Sequence, residues 1–230
     1  MKENKLNFQA RSKRTTVSLF AAGLLGLASP LLNACTHAPE SLPQPTQTES
    51  AAQHRVPAAS PINIAGLWQS AAPEASGPGL YGFRKYRISS NAWSLTWTFY
   101  GDQKLTVPLF EVNVLGTYGL GGASASVAGA YDGVFKVRQK TLTALTDNAA
   151  VLQALGFATC NLVKGQPKSL YASGCGTLSS VLDCPQEYDV VKLSANGATL
   201  AAGRRPADGS GLCTPSKRPT ALGYPLVRGN

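Results

Sequence analysis

The stretch Trp93-Ser94-Leu95-Thr96-Trp97-Thr98-Phe99-Tyr100 alternates large apolar residues with hydroxyl-bearing ones, and that period of two constrains the fold more than any other feature of the chain. Trp93, Leu95, Trp97 and Phe99 share one face, which has to be buried, so the segment is a half-buried strand. Residues 83–89 repeat the pattern, with Arg84, Tyr86 and Ile88 opposite Lys85 and Arg87, and Ser90-Asn91 can turn the chain between the two. Residues 105–115 and 127–139 continue as strands, the latter setting Phe135 and Val137 against Val134, Lys136 and Arg138. Residues 187–193 and 198–203 flank Asn196-Gly197, whose tolerance of positive φ predicts a tight hairpin turn. Leu222, Tyr224 and Leu226 alternate in a last strand that ends at Arg228. One helix is expected over residues 147–156, with Asp147 as its cap, Val151, Leu152 and Leu155 as its apolar stripe and Gly156 as its stop. The glycine-rich run 116–122 reads as a loop at a barrel mouth or a loose turn. Seven to nine short strands, one short helix and no internal repeat predict an all-β chain: an antiparallel, lipocalin-like β-barrel, closed or half-open.

The first quarter of the chain has a different character. Lys2, Lys5, Arg11, Lys13 and Arg14 stand against a single Glu3, and an apolar run over 17–32 follows. That run is interrupted by Gly23, Gly26 and Pro30 and falls short of the roughly 20 apolar residues a membrane-spanning helix needs, so it reads as a cleaved secretory signal. Leu32-Asn33-Ala34-Cys35 resembles the lipobox of bacterial lipoproteins, in which the cysteine sulfur receives a diacylglycerol and becomes the new N-terminus; Asn33 departs from the usual small residue. Residues 36–60 are rich in Pro, Gln, Thr, Ser and Ala and bury too little to offset the entropy of ordering, which predicts a flexible spacer. By resemblance to lipoprotein sorting signals, Thr36 after the cysteine favours the outer membrane. Ser12-Lys13-Arg14 is similar to a twin-arginine export motif with Lys in place of the first Arg. The expected organisation is a signal peptide over 1–34, a lipid-anchor Cys35 with linker to 61, and a β-barrel domain over 62–230, held by its lipid at a bacterial cell envelope.

Charge and cysteines narrow the partners. The chain carries a formal net charge of +9, and part of that lies in the signal. Residues 62–230 keep a modest basic excess without a Lys/Arg block, which suits anionic headgroups or partners and argues against nucleic acid. Four cysteines follow Cys35, at Cys160, Cys175, Cys184 and Cys213. None has the C-x-x-C spacing of a zinc or redox site, and an even number in an exported chain predicts two disulfides. Three connectivities are open. Sequential pairing, Cys160–Cys175 and Cys184–Cys213, is expected because each then closes one hairpin-like segment, stabilising the fold by roughly 3 kcal/mol apiece.

The candidate binding residues are the aromatics of the strand faces. Tyr86, Trp93, Trp97, Phe99, Phe110 and Tyr131, if inward, line an apolar interior that either holds one hydrophobic ligand or is simply filled. Gly66-Leu67-Trp68 resembles the G-x-W that opens lipocalin barrels, where the Trp packs against a late basic residue; Arg228, Arg204 and Arg205 are available, and Arg228 is carried as the candidate partner of Trp68. No catalytic residue, metal ligand or cofactor site is expected: both histidines, His37 and His54, lie in the tether, so no His-based triad or zinc site can form in the domain. Gly77-Pro78-Gly79-Leu80-Tyr81-Gly82 matches G-x-G-x-x-G without the strand and helix that would make it a nucleotide loop. Asp102, Glu111 and Asp132 are the carboxylates from which acid–base chemistry would have to be built, and nothing in their spacing pairs them.

Laid end to end, Gly66-Leu67-Trp68-Gln69-Ser70, Tyr86-Arg87-Ile88, Trp97-Thr98-Phe99-Tyr100-Gly101-Asp102, Glu187-Tyr188-Asp189, Arg205-Pro206 and Cys213-Thr214-Pro215 resemble the domain of the adenomatosis polyposis coli down-regulated family over most of residues 62–230. The resemblance implies an open, lipocalin-like barrel with a hydrophobic interior suited to a lipid or an acyl chain such as palmitate. Animal members are extracellular Wnt inhibitors, and bacteria lack Wnt, so that ligand does not transfer. The family's cysteines after the W-x-S block and after the aromatic-Asp block are replaced here by Ala71-Ala72-Pro73-Glu74 and Gln103-Lys104-Leu105, which is what loss of one bridge looks like. The function expected from residues and resemblance together is a membrane-anchored envelope lipoprotein that binds a lipid, acyl chain or other hydrophobic small molecule. The alternative is a solid-cored interaction lipoprotein that docks a protein or an anionic surface.

Overall fold

A computed structural model describes residues 62–206 and 210–229; the expected signal, Cys35 and linker lie outside them. The strands are β1 (Gly66–Ser70), β2 (Glu74–Gly77), β3 (Leu80–Ile88), β4 (Ala92–Tyr100), β5 (Pro108–Ala123), β6 (Tyr131–Ala144), β7 (Pro167–Ser169), β8 (Gln186–Leu193), β9 (Thr199–Gly203) and β10 (Leu222–Arg228). They form one sheet in the order β1-β10-β9-β8-β6-β5-β4-β3-β2, and β1 also pairs with β3. That second pairing closes the sheet into an eight-stranded antiparallel barrel, with β2 and β7 as short additions beside β3 and β6. The barrel is closed rather than half-open, so none of its eight main strands is left with an unpaired side.

The period-two reading of residues 93–100 survives unchanged. Trp93, Leu95 and Phe99 are buried from β4 while Ser94 and Thr96 stand on the other side of the strand. Register carries the same face onto β3 and β5, pairing Ile88 with Trp93, Leu95 with Val114 and Phe99 with Phe110. The glycine run 116–122 is no mouth loop but part of β5. A side chain at Gly116 would collide with the Lys136 carbonyl, and the open space lets the Trp93 indole N–H donate to that same carbonyl at 3.3 Å. The strand expected from residue 127 starts at Tyr131, because residues 124–130 make the turn in which the Ser124 N–H donates to the Ala130 carbonyl at 2.8 Å.

Two further local expectations are corrected. The helix is short, α1 (Ala149–Ala154), and its cap is Asn148, whose side chain accepts from the N–H groups of Ala150 and Val151; Asp147 instead sits 3.7 Å from Lys164. Gly156 follows in the left-handed region at φ +77. At Asn196-Gly197 only Gly197 has positive φ, and the turn is wider than two residues: Ser194 closes it with its N–H on the Thr199 carbonyl and its Oγ accepting from the Thr199 N–H.

Both ends of the barrel are occupied. At one, Ile64 lies buried under the strand ends and its carbonyl accepts the Trp68 indole N–H at 2.8 Å. At the other, the β6–β8 connection over 145–185 packs Phe157, Leu170 and Val181 into the core. Both disulfides are sequential. Cys160–Cys175 staples this connection to itself, and Cys184–Cys213 ties the start of β8 to the segment between β9 and β10. The bridges close 15- and 29-residue separations, so loss of the second costs the native state slightly more of its advantage over the unfolded chain. Urea unfolding should show a loss of about 3.5 kcal/mol for Cys184→Ser with Cys213→Ser and about 3 kcal/mol for Cys160→Ser with Cys175→Ser. A reversed ranking would rule out loop closure as the source.

Candidate functional site

The barrel interior is where the candidate residues converge. Trp68, Tyr86, Trp93, Trp97, Phe99 and Phe110 all follow the inward parity of their strands. Tyr131 shares the parity of Phe135 and pairs with Val191, but it stays half-buried at the rim, outside the core cluster. Arg228 leaves the end of β10 with its guanidinium 4.0 Å from the Trp68 ring centre and donates to the Ala65 carbonyl at 2.9 Å. Cation, indole and backbone together close the Ile64 end, a contact of the cation–π kind.

The rings interlock instead of lining an open calyx. One stack runs Tyr86, Trp93, Phe135, Tyr118, with centroid separations of 6.4, 5.3 and 5.8 Å. The other runs Trp97, Phe99, Phe110, Phe157 at 4.6, 4.4 and 5.0 Å, so the β6–β8 connection contributes the last ring. Beside Tyr86, Trp93 and Phe135 of the first stack remains a cavity of about 30 Å³. That is room for a water or two. Small-molecule sites occupy roughly 300–1,000 Å³.

Among the rings the interior also carries charge, which period and composition did not announce. Glu74 and Arg84 form a buried pair at 2.9 Å, with Ser70 Oγ donating to the same carboxylate at 2.6 Å and the Arg84 guanidinium donating onward to the Tyr224 carbonyl at 3.0 Å. From β8, Glu187 accepts two hydrogen bonds from Arg205, one of them 3.1 Å. Burial disfavours the Glu187 anion, but Arg205 more than offsets this and holds its carboxyl below the usual range. Two residues on, Asp189 Oδ1 accepts from the N–H groups of Val190 and Gly203 at 2.7 and 2.9 Å. Here burial wins over Arg205 and those hydrogen bonds, and the carboxyl is pushed up to about 6. Burial likewise depresses Lys140, whose ammonium donates to the Ser179 carbonyl at 3.2 Å. Alternation would have found Glu187 and Asp189, since both share a face with Val191 in a predicted strand; Glu74 and Lys140 had no such signal.

The cavity is walled by Ile88, Trp93, Phe135 and Leu226 on one side and meets Tyr86, Glu187, Asp189 and Arg205 on the other. Chemically it is a small amphipathic pocket with space for water beside charged groups. The three carboxylates weighed for acid–base work are held in unrelated settings. Asp102 caps the 101–107 loop, accepting from the N–H groups of Thr106 and Val107 at 2.8 Å each. Glu111 faces outward and accepts from Thr98 at 2.9 Å, and Asp132 lies 3.4 Å from Arg218. No cluster of three or more His, Cys, Asp or Glu residues fit to hold a metal occurs among the described residues.

A family model described as Adenomatosis polyposis coli down-regulated 1 matches residues 44–175, more than half of the chain. The match takes in β1–β7 and the first disulfide and stops short of β8. The Glu187–Asp189–Arg205 cluster and the resembling blocks at 187–189, 205–206 and 213–215 therefore fall beyond it.

The two carboxyls of β8 pull stability in opposite directions with pH. Glu187, held low, stabilises the fold above the ordinary carboxylate range and loses that contribution as pH falls. Asp189, held near 6 against an ordinary 3.8, binds its proton more tightly when folded, so stability rises as pH falls from about 6 toward 4. Between pH 7 and pH 5 the Asp189 proton should raise the unfolding free energy by about 1 kcal/mol. Denaturant titrations at the two pH values should show that gain in the native chain and not in Asp189→Asn; a gain that persists in the variant assigns it to another group.

Proposed function

The chain belongs to the adenomatosis polyposis coli down-regulated family, and from that membership and its filled interior we propose a non-catalytic, membrane-tethered lipoprotein whose barrel is a solid scaffold that docks its partner on the outside. The observation that carries this reading is the 30 Å³ cavity, an order of magnitude below what an acyl chain or drug-sized ligand occupies. Two interlocked aromatic stacks, the buried Glu74–Arg84 pair and the buried carboxylates of Glu187 and Asp189 fill the remaining space, and both barrel ends are plugged. In this reading Cys35 is the lipid anchor at a bacterial cell envelope, supported by the lipobox-like Leu32-Asn33-Ala34-Cys35, and Thr36 after the cysteine favours the outer membrane. The basic excess of residues 62–230 suits an anionic partner or surface. No catalytic residue, metal or cofactor belongs to this reading.

A second reading, carriage of a lipid, an acyl chain or another hydrophobic small molecule, is favoured by one feature: the cavity has an apolar wall and a charged rim, as an amphiphile would require. Carriage demands that the ring stacks part, and the connection over 145–185, which supplies Phe157 to one of them, is the element that would have to move.

Two measurements on the full chain made in a bacterium test these statements. Labelled palmitate should enter the native protein and not Cys35→Ser, and the variant should leave the membrane fraction; equal labelling would remove the anchor. Delipidated Cys35→Ser protein, titrated with free palmitate and followed by native mass spectrometry, should take up none. One palmitate per chain would replace the solid scaffold by the carrier.

A further inference from the structure

We propose that the outer face of β3, β4 and β5 carries a binding site for a neutral, hydroxyl-rich ligand, a saccharide. This names a ligand class for recognition outside the barrel and rests on that reading. The face holds a groove of about 250 Å³ lined by Phe83, Tyr100 and Leu105 together with Lys85, Thr96, Thr98 and Glu111.

Strand register assembles these residues. Phe83, Thr98 and Glu111 form one rung across the three strands, and Lys85, Thr96 and Asn113 form the next. Tyr100 follows Thr98 on the same face of β4, and the loop after it sets Leu105 at the groove's border in the left-handed region at φ +58. Asp102 fixes that loop by accepting from the backbone N–H groups of Thr106 and Val107.

The hydrogen bonds along the groove run in one direction. Thr96 Oγ1 donates to Asn113 Oδ1 at 2.7 Å, Asn113 Nδ2 donates to Glu111 Oε1 at 2.7 Å, and Thr98 Oγ1 donates to Glu111 Oε2 at 2.9 Å. Each hydroxyl proton is thus committed within the relay. The groove offers a visitor acceptors, the two threonine oxygens and the spare lone pairs of the Glu111 carboxylate, with the Lys85 ammonium beside them as a donor. A ligand that satisfies them brings several O–H donors at once. Glu111 and Lys85 set opposite charges in one groove, so neither an anion nor a bare cation meets a field of one sign, whereas a neutral polyol meets acceptors and a donor together. Phe83 and Tyr100 supply flat apolar faces for the C–H side of a sugar ring, a mix of aromatic wall and few placed polar groups that small-ligand sites share.

The test is a titration of isotope-labelled full chain carrying Cys35→Ser with chitotetraose, cellotetraose and choline, read by backbone amide shifts. The expected result is saturable movement of signals from residues 83–85, 96–100, 105 and 111 with at least one tetrasaccharide and none with choline. Glu111→Gln and Tyr100→Leu should each weaken that binding at least tenfold while leaving the thermal midpoint within a few degrees. Because both side chains point away from the core, a folded variant with unchanged affinity overturns the proposal. So do saccharides that move no groove signal, or choline binding there in their place. Palmitate uptake moving signals of Val191 and Leu200 would overturn the solid scaffold and leave the groove result standing, so the two failures are told apart.

Discussion

Closure of the barrel depends on a five-residue strand. β1 pairs with β10 through Trp68 and Arg228 on one side and with β3 through Trp68 and Tyr86 on the other. Without it the sheet is an open ribbon with two long unpaired edges, which in a chain of this β content is an aggregation hazard. Trp68 concentrates several terms in that short strand: it is 1 % exposed, its N–H is satisfied by Ile64, and the Arg228 guanidinium covers its ring. Gly66 has no Cβ because one there would collide with that guanidinium, so the G-x-W spacing is a packing requirement of the closing contact.

Closure in turn decides what the interior can contain. Eight strands leave a space just wide enough for side chains to fill or for one small ligand, and here the side chains prevail. The apolar half is solved by two stacks of rings. The rest is filled by charged groups held by partners, a choice that adds little net stability over apolar packing but makes removal of one partner expensive. Arg84 and Glu74 join the β2–β3 hairpin to β10 through the Tyr224 carbonyl, while Glu187 and Asp189 hold residues beyond the short β8–β9 ladder, which pairs only from Val191 to Leu193. The same ionic groups that fill the barrel therefore hold its least-paired seam shut.

Most of the strand pattern was legible in the residues, because period two needs no partner to be seen: the burial alternation of β4 and β3 follows from single side chains meeting water on one face only. Sequential disulfides were legible for a similar reason, each bridge closing a local segment. The glycine run of β5 was misread because the reason for Gly116, the Lys136 carbonyl opposite it, comes from a neighbouring strand. The cap at Asn148 was missed because two adjacent residues could each have capped the helix and only backbone geometry chooses between them.

By itself the sequence determined that this chain makes a disulfide-stapled β domain with one aromatic face turned inward, behind a first quarter of different composition. Alternation, cysteine parity and composition are properties of the chain taken one segment at a time. Only the tertiary structure decided whether the inward rings surround space or each other, which carboxylates sit inside and which outside, and that an acceptor-lined groove forms on the outer face. Those outcomes depend on register between strands far apart in the chain and on how much volume remains once their side chains meet, and volume is a property of the packed whole.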